Sequence, residues 1–305
     1  MKNRALLSFT ACGIGLFLSG CGGGSVPAAP VAPAVSPLAG NWLIVGPMPT
    51  NDFSLQEMSG FRLAMSFDVT GNNIVAAGFA EGSCAPQSPS PIVNGSFEFP
   101  ALSSGTIAAD GSFTVQTPGN GPIGSLSIQG KVPQANGDQF SGNYTASFTS
   151  PVGSCAGSYS GMFTATSFPL VSGVYAGTGS TQTITNGVSS AMPISVQVTL
   201  QQGGTVTNRV TGISTPSSIP LTGSIRVQGF SCFTTGVTSP TRSSGVEGNM
   251  VVATFTMDDG STLNMTGALT DSTEAHISTA VFVVNGGNCG TPPSFVHLAQ
   301  LDRQS

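Results

Sequence analysis

The chain has 305 residues, only 7% of them charged, with 13 acidic side chains against 8 Lys and Arg. A sparse, acidic chain without a basic cluster excludes nucleic acid as a partner. Abundant Gly, Ser and Thr, with few strong helix formers, favour strands and turns over helices.

Residues 1–20 read as an export signal. Lys2 and Arg4 give a positive start, and Ala5 to Leu18 is an uncharged, mostly apolar run. That run is shorter than the roughly 20 residues a membrane-spanning helix needs. The segment ends Leu18-Ser19-Gly20-Cys21. These four residues resemble the lipobox of bacterial lipoproteins. The resemblance implies cleavage before Cys21, a diacylglyceryl group on its sulfur, and a membrane as partner. The competing reading is an ordinary signal peptide in which Cys21 is incidental. Gly22 stands where an aspartate would signal inner-membrane retention, so the resemblance implies the outer membrane. Residues 21–37 form a linker: Gly22-Gly23-Gly24-Ser25 is a flexible tether, and Val26 to Pro37 is Pro/Ala/Val-rich and extended.

Past the linker, residues 38–169 and 170–305 read as two diverged copies of one unit. Each opens with glycine, one residue and an aromatic, in Gly40-Asn41-Trp42 and Gly173-Val174-Tyr175. Each continues with a strand pair around a Gly/Asn turn, at Gly71-Asn72 and at Gln201-Gln202-Gly203-Gly204, and then reaches Cys84 or Cys232. A second hairpin follows, marked by Asp110-Gly111 and Asp259-Gly260. Each copy closes with a strand, a Gly-rich loop holding Cys155 or Cys289, and a last strand.

Cys12 leaves with the signal and Cys21 carries the lipid, so two cysteines remain per copy, in a compartment that permits disulfides. Of the three pairings that four cysteines allow, the duplication selects Cys84–Cys155 and Cys232–Cys289. Each bridge would contribute about 4 kcal/mol on the chain-entropy model. The alternative, a metal site, fails on spacing, since only His276 and His297 could join these distant cysteines. No metal and no cofactor are expected.

Period-two alternation, as in Phe61 to Val69 and most cleanly in Ile194 to Leu200, marks half-buried strands. The fold expected is all-β: two tandem antiparallel domains, each a closed barrel or a sandwich. The Gly-x-Trp opening resembles the lipocalin/calycin barrels and the small cysteine-paired β-domains of soil-bacterial lipoproteins. The first resemblance implies a late arginine packed on the tryptophan. The closing strand Gly157 to Thr166 has none, Tyr175 replaces the tryptophan in copy two, and Arg303 lies past the expected last strand. Trp42 and Tyr175 either line a ligand site or fill the core, with the core favoured.

Chemistry is thinly represented. His276 and His297 sit in alternating strands and read as surface or satisfied side chains rather than catalytic bases. Gly-x-Ser-x-Gly is absent, and Asp110, Asp138, Asp258, Asp259 and Asp271 are explained by turns. An insert from Pro47 to Gly60 reads as a lid over a barrel mouth or, preferentially, as cover for a sheet edge.

The function expected is non-catalytic binding of a small apolar ligand inside a barrel. The alternative is a structural or adhesive surface module for protein or glycan, with Tyr144, Tyr159 and Phe295 as candidate exposed aromatics. A hydrolase is the least supported reading.

Overall fold

The computed structural model describes residues 36–46, 60–83, 94–98, 103–117, 123–148, 157–185, 188–207, 214–239, 244–270, 273, 276–287, 294–298 and 300–304. All regular structure among them is strand, apart from turns. The first sheet is built from β1 (Gly40–Gly46), β2 (Gly60–Thr70), β3 (Asn73–Ser83), β4 (Asn94–Glu98), β5 (Ser103–Ile107), β6 (Ser112–Gln116), β7 (Ile123–Lys131), β8 (Gln139–Phe148) and β9 (Gly157–Phe168). β1 pairs with both β2 and β9, and β2 pairs with β3, so eight strands close on themselves. β4 adds to the edge of β3. Closure leaves no free edge around the ring, which removes the hazard of unpaired backbone groups.

The second sheet uses β10 (Ser172–Thr185), β11 (Val188–Thr207), β12 (Ser214–Gln228), β13 (Thr235–Thr238), β14 (Gly245–Glu247), β15 (Met250–Met257), β16 (Thr262–Leu269), β17 (His276–Asn285), β18 (Ser294–Leu298) and β19 (Gln300–Arg303). Its path is that of the first: β10 to β13 and then β15 to β17 follow one another round the ring. β18 and β19 together make the eighth strand, each bridging β17 to β10. The expected choice between barrel and sandwich thus resolves to barrels.

The alternation read from the sequence sets the inside and outside of each barrel. On β2, Leu63, Met65 and Phe67 are fully buried inside. On β11, Ile194, Val196, Val198 and Leu200 point inward while Gln197 and Thr199 are exposed. Yet Ala64 and Ser66, on the outward side of β2, are also buried. The second barrel covers them.

That junction is polar. Asn41 and Gln202 exchange amide hydrogen bonds: Asn41 Nδ2 donates to Gln202 Oε1 at 3.0 Å, and Gln202 Nε2 donates to Asn41 Oδ1 at 2.8 Å. Both amides are buried and find further partners. Asn41 Nδ2 reaches the Pro169 carbonyl, and Gln202 reaches the Ser218 carbonyl and the Val171 N–H. Asp68 accepts from the Ser217 hydroxyl and from the N–H and hydroxyl of Ser218. The Ser66 hydroxyl accepts the Gly248 N–H at 3.0 Å. Gly248, at φ +60°, sits in the β14–β15 turn and lies directly on the first barrel. A Cβ there would fall 2.4 Å from the Trp42 carbonyl oxygen and 2.5 Å from the Met65 nitrogen.

Three local expectations change. Gly203-Gly204 is no hairpin turn: both glycines lie inside β11, where the register with β12 shifts between Gln202 and Gly204. The irregularity begins just after Gln202, whose side chain reaches the junction. The Asp-Gly hairpins share one hydrogen-bond pattern, with Asp110 Oδ1 accepting from Ser112 and Asp259 Oδ1 from Ser261. They are not equivalent, however. Asp110 joins the fourth and fifth strands of its ring, and Asp259 joins the fifth and sixth of the other. Arg303 does not lie beyond the last strand; it ends β19, opposite Tyr175.

Gly248→Ala combines overpacking with a left-handed backbone conformation, and is expected to destabilise the chain by about 2–4 kcal/mol. Urea unfolding of the variant measures it. An unchanged midpoint would mean that the junction yields at no cost.

Candidate functional site

Trp42 is a core residue. Its indole N–H donates to the Leu38 carbonyl at 2.9 Å, so the turn at 36–39 is tied across one end of the barrel. Its ring meets Phe140 edge-on at 4.7 Å, and Phe140 in turn meets Phe113 at 5.6 Å and Phe163 at 5.8 Å. Edge-to-face rings at these separations fill the layer with mutual contacts. Tyr175 is likewise fully buried. Beside it Gly173 has φ +125°, and the Arg303 side chain comes within 3.0 Å of where a Cβ would stand. The glycine of this Gly-x-aromatic opening therefore admits a late arginine. In the first barrel the residue opposite Trp42 is Ser167.

Tyr144, expected as an exposed aromatic, is buried in the first core, and that burial pushes its phenol pKa up. Tyr159 and Phe295 lie on strands whose side chains at those positions fall outside the description, as does the His297 side chain. Cys21, Cys84, Cys155, Cys289 and the 47–59 insert also lie outside the described residues. Cys232 is described, and packs half-buried against the second core.

The outer wall of the second barrel brings together residues that no sequence motif joins. His276 on β17 faces Asp302 on β19, and Asp302 faces Ala176 on β10. Ala176 faces Gln197 on β11, Gln197 faces Arg226 on β12, and Arg226 faces Thr235 on β13. Next to Thr235 stands Asp258, whose backbone N–H donates to the Thr235 carbonyl. One register line therefore runs round the barrel through polar side chains, with a single small residue, Ala176, in its middle. Over that residue the wall is hollowed into a groove of about 630 Å³, bounded by Gln197, Arg226, Gln228, Gln300 and Asp302. Two further depressions share its lining residues, one through Ser195 and Gln228, the other through Gln197 and Arg226.

Both acids at the ends of this line are held as carboxylates. Hydrogen bonds from Gln300 and from His276 lower the Asp302 pKa, and hydrogen bonds from Thr234 and Thr235 lower that of Asp258. His276 Nδ1 lies 2.7 Å from Asp302 Oδ1, an arrangement that fixes the imidazole against the carboxylate. Among the described residues, the partners of that histidine are Asp302 and Gln300. Nor do three His, Cys, Asp or Glu side chains gather as a metal would require, among the described residues.

No family model matches the chain, and no curated protein does. Among solved structures it is similar to kievitone hydratase from Nectria haematococca, with a TM-score of 0.23 and 8% identity over 88% of this chain and 90% of that one.

Since Gln300 supplies the largest part of the Asp302 shift, Gln300→Ala should move the carboxyl titration upward, toward the ordinary aspartate range. The sign follows from linkage: a depressed carboxylate stabilises the fold above its unfolded pKa, and that stability is lost as pH falls through the folded value. Carbon-detected NMR of the Asp302 carboxyl reads the shift, and an unmoved titration would remove Gln300 from the cluster.

Proposed function

We propose that this chain is a lipid-anchored cell-envelope protein, favoured at the outer membrane, whose two barrels form a non-catalytic binding module that engages its partner on the outer wall. The observation that carries the binding part is the polar register line from His276 to Asp258, with its groove over Ala176. A binding surface of this kind needs convergent polar groups in a concave site of a few hundred cubic ångströms. An apolar ligand inside a barrel has less to support it, because aromatic rings already occupy the layer around Trp42.

The anchor is supported by the Leu18-Ser19-Gly20-Cys21 lipobox and by the tether that follows it. Two or three acyl chains on one cysteine hold far more firmly than one, since each buried CH₂ contributes about 0.8 kcal/mol. Export is supported in turn by the cysteines. Cys84 and Cys232 each fall between the third and fourth strands of their rings, and Cys155 and Cys289 between the seventh and eighth. Pairing Cys84 with Cys155 and Cys232 with Cys289 uses the same two connections in both barrels. Cys232 packs half-buried against the second core, as a bridged cysteine would. Its neighbours help: Asp258 holds Thr234 and Thr235 just after Cys232, while the next residue, Asp259, lies against Gly287 just before Cys289.

Cys21→Ser is expected to release the protein from the membrane fraction into the soluble one, as read by fractionation of the expressing cells. A variant that remains with membranes would refute the lipid anchor. In the wild type, non-reducing digestion and mass spectrometry should return the two within-barrel peptides. A Cys84–Cys232 peptide would overturn the pairing.

A further inference from the structure

Resting on the reading of the outer wall as a binding surface, we infer that the groove over Ala176 binds a neutral oligosaccharide chain.

The ligand class follows from the side chains. Gln197, Gln228 and Gln300 are exposed amides; Gln228 accepts from the Ser195 hydroxyl and Gln300 donates to Asp302, which leaves the Gln228 NH₂ group and the whole Gln197 amide to face a ligand. Thr178 and Ser195 add hydroxyls at the same depression. A sugar hydroxyl both donates and accepts, so adjacent hydroxyls match an amide edge, a carboxylate or a planar guanidinium. Arg226 and Asp302 provide the last two, on opposite rims. Between them lie β11 and β10, so the rims stand about 14 Å apart along the wall at three strand spacings. That is too wide for one small zwitterion and suits a short chain of rings.

Charge narrows the class further. The register line carries two ionised acids, Asp258 and Asp302, and one arginine, so it repels a polyanion. The floor is small rather than aromatic: Ala176, Gly177 and the backbone of Val196. Recognition must therefore come from hydrogen bonds along the edges of the chain. The flanking depressions that share Ser195, Gln197, Gln228 and Arg226 extend the groove at both sides, as a polymer would need.

The test is saturation-transfer NMR and titration on the intact chain in a non-glycosidic detergent. Maltohexaose, cellohexaose and chitohexaose serve as neutral probes, with polygalacturonate as the charged one. Transfer is expected to at least one neutral chain. Ala176→Trp, which fills the groove, and Gln197→Ala, which removes one amide, should each weaken it by about tenfold or more, the loss of one to two hydrogen bonds. Thermal unfolding should be unchanged in Gln197→Ala, an exposed position. No transfer to any neutral probe, stronger transfer to polygalacturonate, or binding that both variants leave intact would overturn the inference. Fractionation of Cys21→Ser reads the anchor separately, so loss of the saccharide and loss of the anchor are distinguishable.

Discussion

The exchange of amide hydrogen bonds between Asn41 and Gln202 governs how this molecule is put together. The two residues are 161 positions apart in sequence and belong to different barrels. Buried amides without partners cost about 1–3 kcal/mol each, so the pair is strongly held to one arrangement. Shifting the pairing register of β1 or β11 by one residue would flip that strand's side chains to the other face and turn these amides away from each other. Neighbouring contacts depend on the same register: Asp68 on Ser217 and Ser218, Ser66 on Gly248, and the Gly248 backbone against Trp42 and Met65. Because Trp42 is also part of the aromatic cluster of the first core, the junction and that core are parts of one packed structure.

Barrel closure then divides the labour between inside and outside. Interiors are committed to apolar and aromatic packing, with Tyr175, Phe255 and Phe282 fully buried in one and Trp42, Tyr144 and Phe67 in the other. The outside carries the exposed polar side chains. On the first barrel, part of that outside is consumed by the junction. On the second, the wall formed by β19, β10, β11 and β12 is exposed among the described residues, and there the polar groups converge.

How much of this is legible in the sequence depends on the range of the interaction. The alternation of Ile194 to Leu200 reads directly as a strand with one face inside, because the period is local. The Asp-Gly turns are equally visible, since their hydrogen bonds stay within two residues, but their place in the ring is not, and the two are offset by one hairpin. Gly203-Gly204 looks like a turn by composition. Only the pairing with β12 reveals a bulge in a 20-residue strand. Asn41 carries no local signal, since a polar residue on the outward side of a strand reads as solvent-facing until a neighbour covers it, and Gln202 shows only as a polar residue in phase with the inward series that ends at Leu200. The groove was hidden for the same reason. Ala176, Gln197, Arg226 and Asp302 each sit at an ordinary exposed position, and only the sheet register sets them side by side.

Scanning calorimetry of the wild type and of Gln202→Leu tests the junction most directly. With the amide exchange coupling the barrels, the wild type should unfold in one cooperative transition. The variant, which removes both amide bonds to Asn41 and the Gln202 partner of the Val171 N–H and the Ser218 carbonyl, should separate into two transitions with the lower one clearly shifted down. Two independent transitions in the wild type, unchanged in Gln202→Leu, would contradict a coupled pair of barrels.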